Sequence, residues 1–222
     1  MAKLPHQLQR EHSHRVEALF SSLDAGRLTL RNRLAVAPMT RVSATAEGMP
    51  TQHMSDYYTA FAEGGFGLVV TEGLYTDKAF SQGYLFQPGL TEARQRDGWR
   101  PIVERVHDAG SRMVAQLMHA GALSQGSAYS AGTRGPSAIR PKGQQMAFYR
   151  GSGTYPVPTA MSFEEIAQAV KGFADAALLA REAASTAWRS MLRTAICSTN
   201  SSRRASIFAT IAMAVPSRDG CA

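Results

Sequence analysis

Four positions with chemical or conformational reach sit where three short apolar runs give out. Thr40 follows Leu34-Ala35-Val36-Ala37-Pro38-Met39, and Gly73 follows Gly67-Leu68-Val69-Val70-Thr71-Glu72. Gln116 and His119 close the run that opens at Arg112-Met113-Val114-Ala115. The Gln116 amide offers a donor and an acceptor on one planar edge, which suits a ligand showing N–H beside carbonyl oxygens. The Thr40 hydroxyl can donate or accept a hydrogen bond. An imidazole at position 119 can hydrogen-bond or carry a proton near neutrality. Glycine at 73 lets the backbone approach a ligand closely. Each residue also has a plainer reading. The stretch 37–40 can be an ordinary strand exit, Gln116 a buried and satisfied amide, Gly73 a strand terminator, and His119 a structural histidine.

The surrounding pattern explains why these residues should meet. Each apolar run is short and reads as a strand covered on both faces. A hairpin is expected over 23–30, turning at Asp24-Ala25-Gly26. Strand one is then expected at 33–37, strand two at 67–71 and strand three at 112–117. Between them a helix is predicted over 51–62, with Thr51 as its N-cap and Gly64-Gly65 as its stop. A second is predicted over 91–109, ended by Gly110. After a long Gly-, Ser- and Pro-rich loop over 121–158, Ser162 and Glu165 form a capping box. Ile166, Val170, Phe173, Ala177 and Leu178 make the apolar stripe of the helix that follows, to Ala183. Strand–helix alternation predicts an α/β fold with a parallel sheet. In such sheets ligands sit at the carboxyl ends of the strands, where the polar residues above all fall.

Composition narrows the function classes. The chain has 222 residues, 44% of them hydrophobic, and a net charge of +7. Residues 184–222 hold Arg189, Arg193, Arg203, Arg204 and Arg218 against Asp219 alone. That segment therefore carries +4, and only +3 remains for the other 183 residues. The basic charge comes with no nucleic-acid recognition motif, so no nucleic-acid partner is expected. Cys197 and Cys221 fall in the same segment and form no metal or disulfide framework. No apolar run reaches the roughly 18 residues of a membrane span. The N-terminal residues 1–17 read as a flexible arm. His6, His12 and His14 lie there without metal-site spacing, so no metal is expected. A cytoplasmic protein acting on a small molecule is the expectation, with oligomeric state left open.

The turns together resemble those of the Old Yellow Enzyme family of FMN-dependent NADH:flavin oxidoreductases, which are (β/α)8 TIM barrels. Asn32-Arg33-Leu34 through Ala37-Pro38-Met39-Thr40-Arg41 resembles the first barrel strand, and Thr71-Glu72-Gly73 the end of the second. Gly83-Tyr84 matches the next loop. Gln116-Leu117-Met118-His119-Ala120-Gly121 resembles the QLxHxG motif, and Gly135-Pro136-Ser137-Ala138-Ile139 the GPSAI loop. The resemblance covers about residues 18–183. It implies FMN as cofactor and NAD(P)H as reductant, with hydride passing to an activated alkene. It implies that the backbone of Pro38 and Met39 lies against the isoalloxazine, that Thr40 addresses its carbonyl edge, and that Gln116 pairs with its pyrimidine edge. Gly73 would lie close to the cofactor and His119 on the substrate side. Two departures stand out: Ala122 where the family often has arginine, and Met118 where many members have tryptophan or alanine. The alternatives are a different phosphate-binding barrel enzyme and a non-enzymatic basic binding protein.

From about residue 184 the likeness stops. The family continues with a GFDGVEIH strand and an ANGYLLDQFL segment, near which the resemblance places a substrate-binding pair and a tyrosine proton donor. Here the chain reads Ala184-Ser185-Thr186-Ala187-Trp188-Arg189-Ser190, which fits no strand or helix pattern. Codons exist for this text whose adjacent frame encodes G-F-D-G-V-E-I-H, then G-Y-L-L-D-Q-F-L from 194–202. The segment 184–222 is therefore expected to be an out-of-frame reading, with a genuine basic, disordered tail as the alternative. The fold expected is the N-terminal portion of a TIM barrel, cut after about three βα units. The family's catalytic residues would then be missing and its activity lost or impaired.

Overall fold

The computed structural model describes residues 16–25, 28–183 and 187–190. The histidines of the N-terminal arm, Gly26 of the hairpin turn, both cysteines and most of the segment after 184 lie outside them. Residues 16–20 are helical, so Val16 and Glu17 belong to an ordered turn rather than to the expected arm.

Strands β1 (Leu23–Ala25) and β2 (Leu28–Leu30) pair antiparallel, as the apolar stretches around the expected turn require. The main sheet has four parallel strands in the order β3 (Ala35–Val36), β4 (Leu68–Tyr75), β5 (Arg112–Met118) and β8 (Ala187–Ser190). Helix α1 (Gln52–Glu63) crosses from β3 to β4, and α2 (Ala93–Asp108) from β4 to β5. The long loop after β5 carries two minor strands, β6 (Arg134–Gly135) and β7 (Thr159–Ala160), before α3 (Phe163–Glu182) leads to β8. Helices on a parallel sheet bury apolar side chains against it. Met54, Tyr58 and Ala62 from α1, Trp99, Ile102 and Val106 from α2, and Phe173, Ala176 and Ala180 from α3 share one core with Val69, Leu74, Met113 and Leu117.

The local signals work as their chemistry suggests. Thr51 Oγ1 accepts the Met54 N–H at the head of α1. At the head of α3 the capping box is complete: Ser162 Oγ accepts the Glu165 N–H, and Glu165 Oε2 accepts the Ser162 N–H. At the amino-terminal end of the parallel strands Arg31 ties off helix ends. Its guanidinium donates to the Ala62 carbonyl in the last turn of α1, to that of Phe66 in the loop after it and to that of Ala109 just past α2, at 2.6, 2.9 and 2.9 Å.

Four expectations need correction. Strand one is only two residues long, because Pro38 and the turn after it leave the ladder early. Strand two does not end at Thr71. It runs to Tyr75 through a bulge, with Val70 opposite Val114 but Gly73 opposite Gln116. Three steps along β4 thus match two along β5, and the extra residue hides the alternation that marks a strand. Leu178 is 46% exposed and leaves the α3 stripe, which Ala169, Ala176 and Ala180 fill instead. Finally, residues 187–190 do form a strand. Its backbone pairs with β5 over Val114 to Leu117, so the described chain adds a fourth strand to its three βα units. Ladder bonds are made by backbone, and a vacant edge beside β5 accepts text with no strand pattern of its own. Among the described residues, no helix is long and apolar enough to cross a membrane.

Candidate functional site

The carboxyl ends of β3, β4 and β5 lie side by side, and the bulge in β4 organises them. Thr71 Oγ1 accepts the Gln116 N–H at 2.9 Å and donates to the Glu72 carbonyl at 2.8 Å. A side chain thereby replaces the ladder partner that the bulge removes. Beyond it Gly73 and Gln116 stand directly opposite each other. Gln116 is buried, at 6% exposure. The Gly73 carbonyl accepts from Gln87 Nε2 at 2.7 Å, and Gln87 Oε1 accepts the Gly83 N–H. A Cβ on Gly73 would lie 2.5 Å from Met118 Sδ, so the glycine makes room for that thioether. The close approach that Gly73 permits within this chain is therefore to Met118.

On the neighbouring strand, Pro38 and Thr40 are half-buried and Met39 is exposed. What fixes this stretch is Glu72, a residue to which its position in the sequence alone gives no role. Glu72 is 1% exposed, and its Oε2 accepts the N–H groups of Arg41 and Val42 at 2.8 and 3.1 Å. Tyr58, buried on α1, accepts the Glu72 N–H at 2.9 Å and donates to Oε1 at 3.4 Å. Burial pushes the Glu72 carboxyl above its usual range, and the two N–H donors and Tyr58 pull it back. Burial and the neighbouring Glu72 charge push the Tyr58 phenol well up, so it stays a neutral donor. The only sequence signal for this arrangement was a glutamate inside an otherwise apolar strand.

His119 is 2% exposed. Its Nδ1 accepts the Gly121 N–H at 3.1 Å, which assigns the proton of the neutral ring to Nε2. That nitrogen lies 3.7 Å from Asp77 Oδ2, beyond hydrogen-bond reach, and neither atom has a partner among the described residues. Asp77 Oδ1 accepts from Phe80 and Ser81 in the loop after β4. Burial pulls the imidazole below its ordinary value and Asp77 pulls it back up. The structure therefore gathers Pro38, Met39, Thr40, Gly73 and Gln116 along three adjacent strand ends, and turns the His119 ring toward the two loops behind them. Ala122 is buried, and a Cβ on Gly135 would come within 3.3 Å of its methyl, so this position packs under the loop that begins at Gly135.

An amide, a hydroxyl and exposed backbone thus lie at the carboxyl end of a parallel α/β sheet, the end at which such folds place their ligands. The chain belongs to the NADH:flavin oxidoreductase / NADH oxidase family, whose model matches residues 18–186. It is 33% identical over 171 residues to a probable flavin mononucleotide-dependent alkene reductase of Leishmania infantum, covering 74% of this chain and 46% of that protein. It is 33% identical over 172 residues to 12-oxophytodienoate reductase 7 of Oryza sativa subsp. japonica, covering 74% and 42%. The chain thus spans less than half the length of these relatives. Among solved structures it superposes on the old yellow enzyme homologue from Zymomonas mobilis with a TM-score of 0.74 at 25% identity, covering 89% of this chain and 59% of that one. Morphinone reductase in complex with tetrahydroNAD gives a TM-score of 0.73 at 25% identity, covering 89% and 60%. These neighbours confirm the expected fold class, the N-terminal part of an Old Yellow Enzyme barrel.

Proposed function

We propose that this chain carries the ring-edge part of an FMN site in an oxidoreductase that moves hydride from NAD(P)H to an activated alkene. The observation that carries the reading is the placement of Gln116 directly opposite Gly73, next to the strand end that presents Pro38, Met39 and Thr40. The donor set fits the polar edge of an isoalloxazine: one amide that both donates and accepts, one hydroxyl, and backbone from an exposed strand exit. When bound, FMN supplies a ring that takes up and releases hydride. Gln116 would pair with the N–H and carbonyl of the pyrimidine edge. Thr40 would donate to a ring carbonyl and so tune its potential, and the Pro38–Met39 backbone would lie against the ring. His119, bound to Gly121 and turned toward Asp77, would fix the loops that border the substrate side.

In the chain as it reads, turnover is proposed to be lost or impaired. The text after Ala183 does not contain the segment in which the resemblance puts the substrate pair and the proton donor. Titration of the 222-residue chain with lumiflavin and with FMN, followed by flavin absorbance and fluorescence, tests the binding part. Both should perturb, because the proposed contacts all go to the ring, and Gln116→Leu should weaken them by about tenfold. NAD(P)H-driven reduction of a simple α,β-unsaturated ketone tests the rest and should be slow or absent. Flavin binding that ignores Gln116→Leu would overturn the site, and brisk turnover would overturn the impairment.

A further inference from the structure

The backbone at Val42 is in an unusual state. Its φ is +50°, a left-handed value that a β-branched side chain rarely adopts. Such conformations persist only where the surroundings hold them, and they gather at functional sites. Here the hold comes from one side chain. The N–H of Val42 and that of Arg41 before it both point at one oxygen of Glu72, a carboxylate buried on the adjacent strand. Two residues upstream of that clamp lies Met39, and immediately before it Thr40. Behind them the last ladder pair of β3 is Val36 with Val69. The segment 37–40 is therefore suspended between a sheet register at one end and a single carboxylate at the other.

We infer that Glu72 is a positioning residue for the flavin edge: by holding the strained Arg41–Val42 turn, it sets the direction of Thr40 and the Pro38–Met39 backbone. This rests on the flavin reading proposed above. Glu72 need not touch the cofactor, since it acts through the turn. Tyr58 completes the device by bonding both the N–H and the second carboxylate oxygen of Glu72, which fixes the rotamer that aims Oε2 at the turn. An ionised carboxylate suits the task because it only accepts, and its bonds to N–H groups are charge-assisted. The groups facing it are Arg41 from its own turn, Tyr58, Tyr57 and His53 from α1, and Ser43. The Arg41 guanidinium is drawn instead over the Tyr57 ring, 4.9 Å from its centroid.

Two readouts separate this role from the flavin reading. In the full chain without flavin, Glu72→Gln should speed hydrogen exchange of the Arg41 and Val42 amides by about tenfold or more, because a neutral amide holds them less well. With lumiflavin, Glu72→Gln should weaken binding by about tenfold. Wild-type binding should also fall on acidification, as Glu72 protonates, in a way the glutamine variant does not share. Val42→Gly, which accepts a positive φ at no steric cost, should recover part of the loss when combined with Glu72→Gln, and it guards against a variant that merely folds poorly. Unchanged exchange in Glu72→Gln overturns the clamp whether or not flavin binds. Faster exchange with unchanged lumiflavin affinity and pH profile overturns its role at the site. Failure of the wild-type chain to bind lumiflavin would instead count against the flavin reading, leaving the exchange result to judge the clamp.

Discussion

Thr71 Oγ1 stands 2.9 Å from the backbone nitrogen of Gln116 and receives its hydrogen bond across a bulge. One hydroxyl thus does what a strand carbonyl does elsewhere in the ladder. It lets β4 carry one extra residue without leaving a buried N–H unpaired, and it brings Gly73 level with Gln116. Thr71→Val keeps the shape and removes the acceptor. Destabilisation of about 1–3 kcal/mol is expected, the usual cost of an orphaned buried donor. Thr71→Ser should cost less. Urea unfolding of the two variants checks this, and equal midpoints would show that the hydroxyl does not hold the bulge.

Gly73 has a packing reason to be glycine. Its missing Cβ is where Met118 Sδ sits, 2.5 Å from the ideal position. Gly73→Ala should destabilise by about 1–3 kcal/mol through overpacking. Met118→Ala should absorb part of that cost in the double variant, giving a coupling of at least about 0.5 kcal/mol. Strict additivity would mean that the two side chains do not meet.

Acid should loosen the loop behind β5. The folded-state pKa of His119 is lowered from its ordinary 6.5, first by burial, so the folded protein binds fewer protons here than the unfolded chain. Its contribution to stability is then complete above pH 6.5 and lost as pH falls through that value toward the folded pKa. Protonation would also have to displace the Gly121 N–H from Nδ1. His119→Asn, which keeps an acceptor but does not titrate, should flatten that part of the stability profile. Denaturant midpoints measured from about pH 8 downward, in steps of about half a unit, give the comparison. A profile unchanged by the substitution would show that His119 does not titrate with folding.

Much of the scaffold was legible in the residues. Three apolar runs marked β3, β4 and β5, and Thr51 and the Ser162–Glu165 box marked two helix starts, because these signals act within a few residues of one another. The length of β4 was not legible. A bulge breaks the period-two pattern at Thr71 and Glu72, where a turn was expected. Nor was the role of Glu72, whose partners Arg41 and Val42 lie about 30 positions away and donate through backbone, which carries no side-chain signature. The strand at Ala187–Ser190 was missed for a related reason: edge pairing asks only for backbone. Of the site residues, Thr40, Gly73 and Gln116 come to adjacent strand ends, and His119 is buried against its own loop facing Asp77, in keeping with the structural reading its position also allowed.

The out-of-frame origin proposed for the segment from about residue 184 makes a definite demand on the gene. The family match ends at residue 186, close to where the text changes. An adjacent frame of the nucleotide sequence should encode G-F-D-G-V-E-I-H across 183–191 and G-Y-L-L-D-Q-F-L across 194–202. Restoring that frame should then yield a yellow, active enzyme. A gene whose other frames lack this text would make the segment a genuine part of the protein.

At the centre of the proposed site, Gln116 would face the edge of a flavin ring. The most direct test is the side-chain amide of Gln116 in a 1H–15N spectrum of the 222-residue chain, assigned by its loss in Gln116→Leu and followed as lumiflavin is added. Both amide protons should shift with the titration, with backbone signals of Thr40 and Gly73 moving alongside. Ring binding that leaves the Gln116 amide in place, or no binding at all, would contradict the assignment.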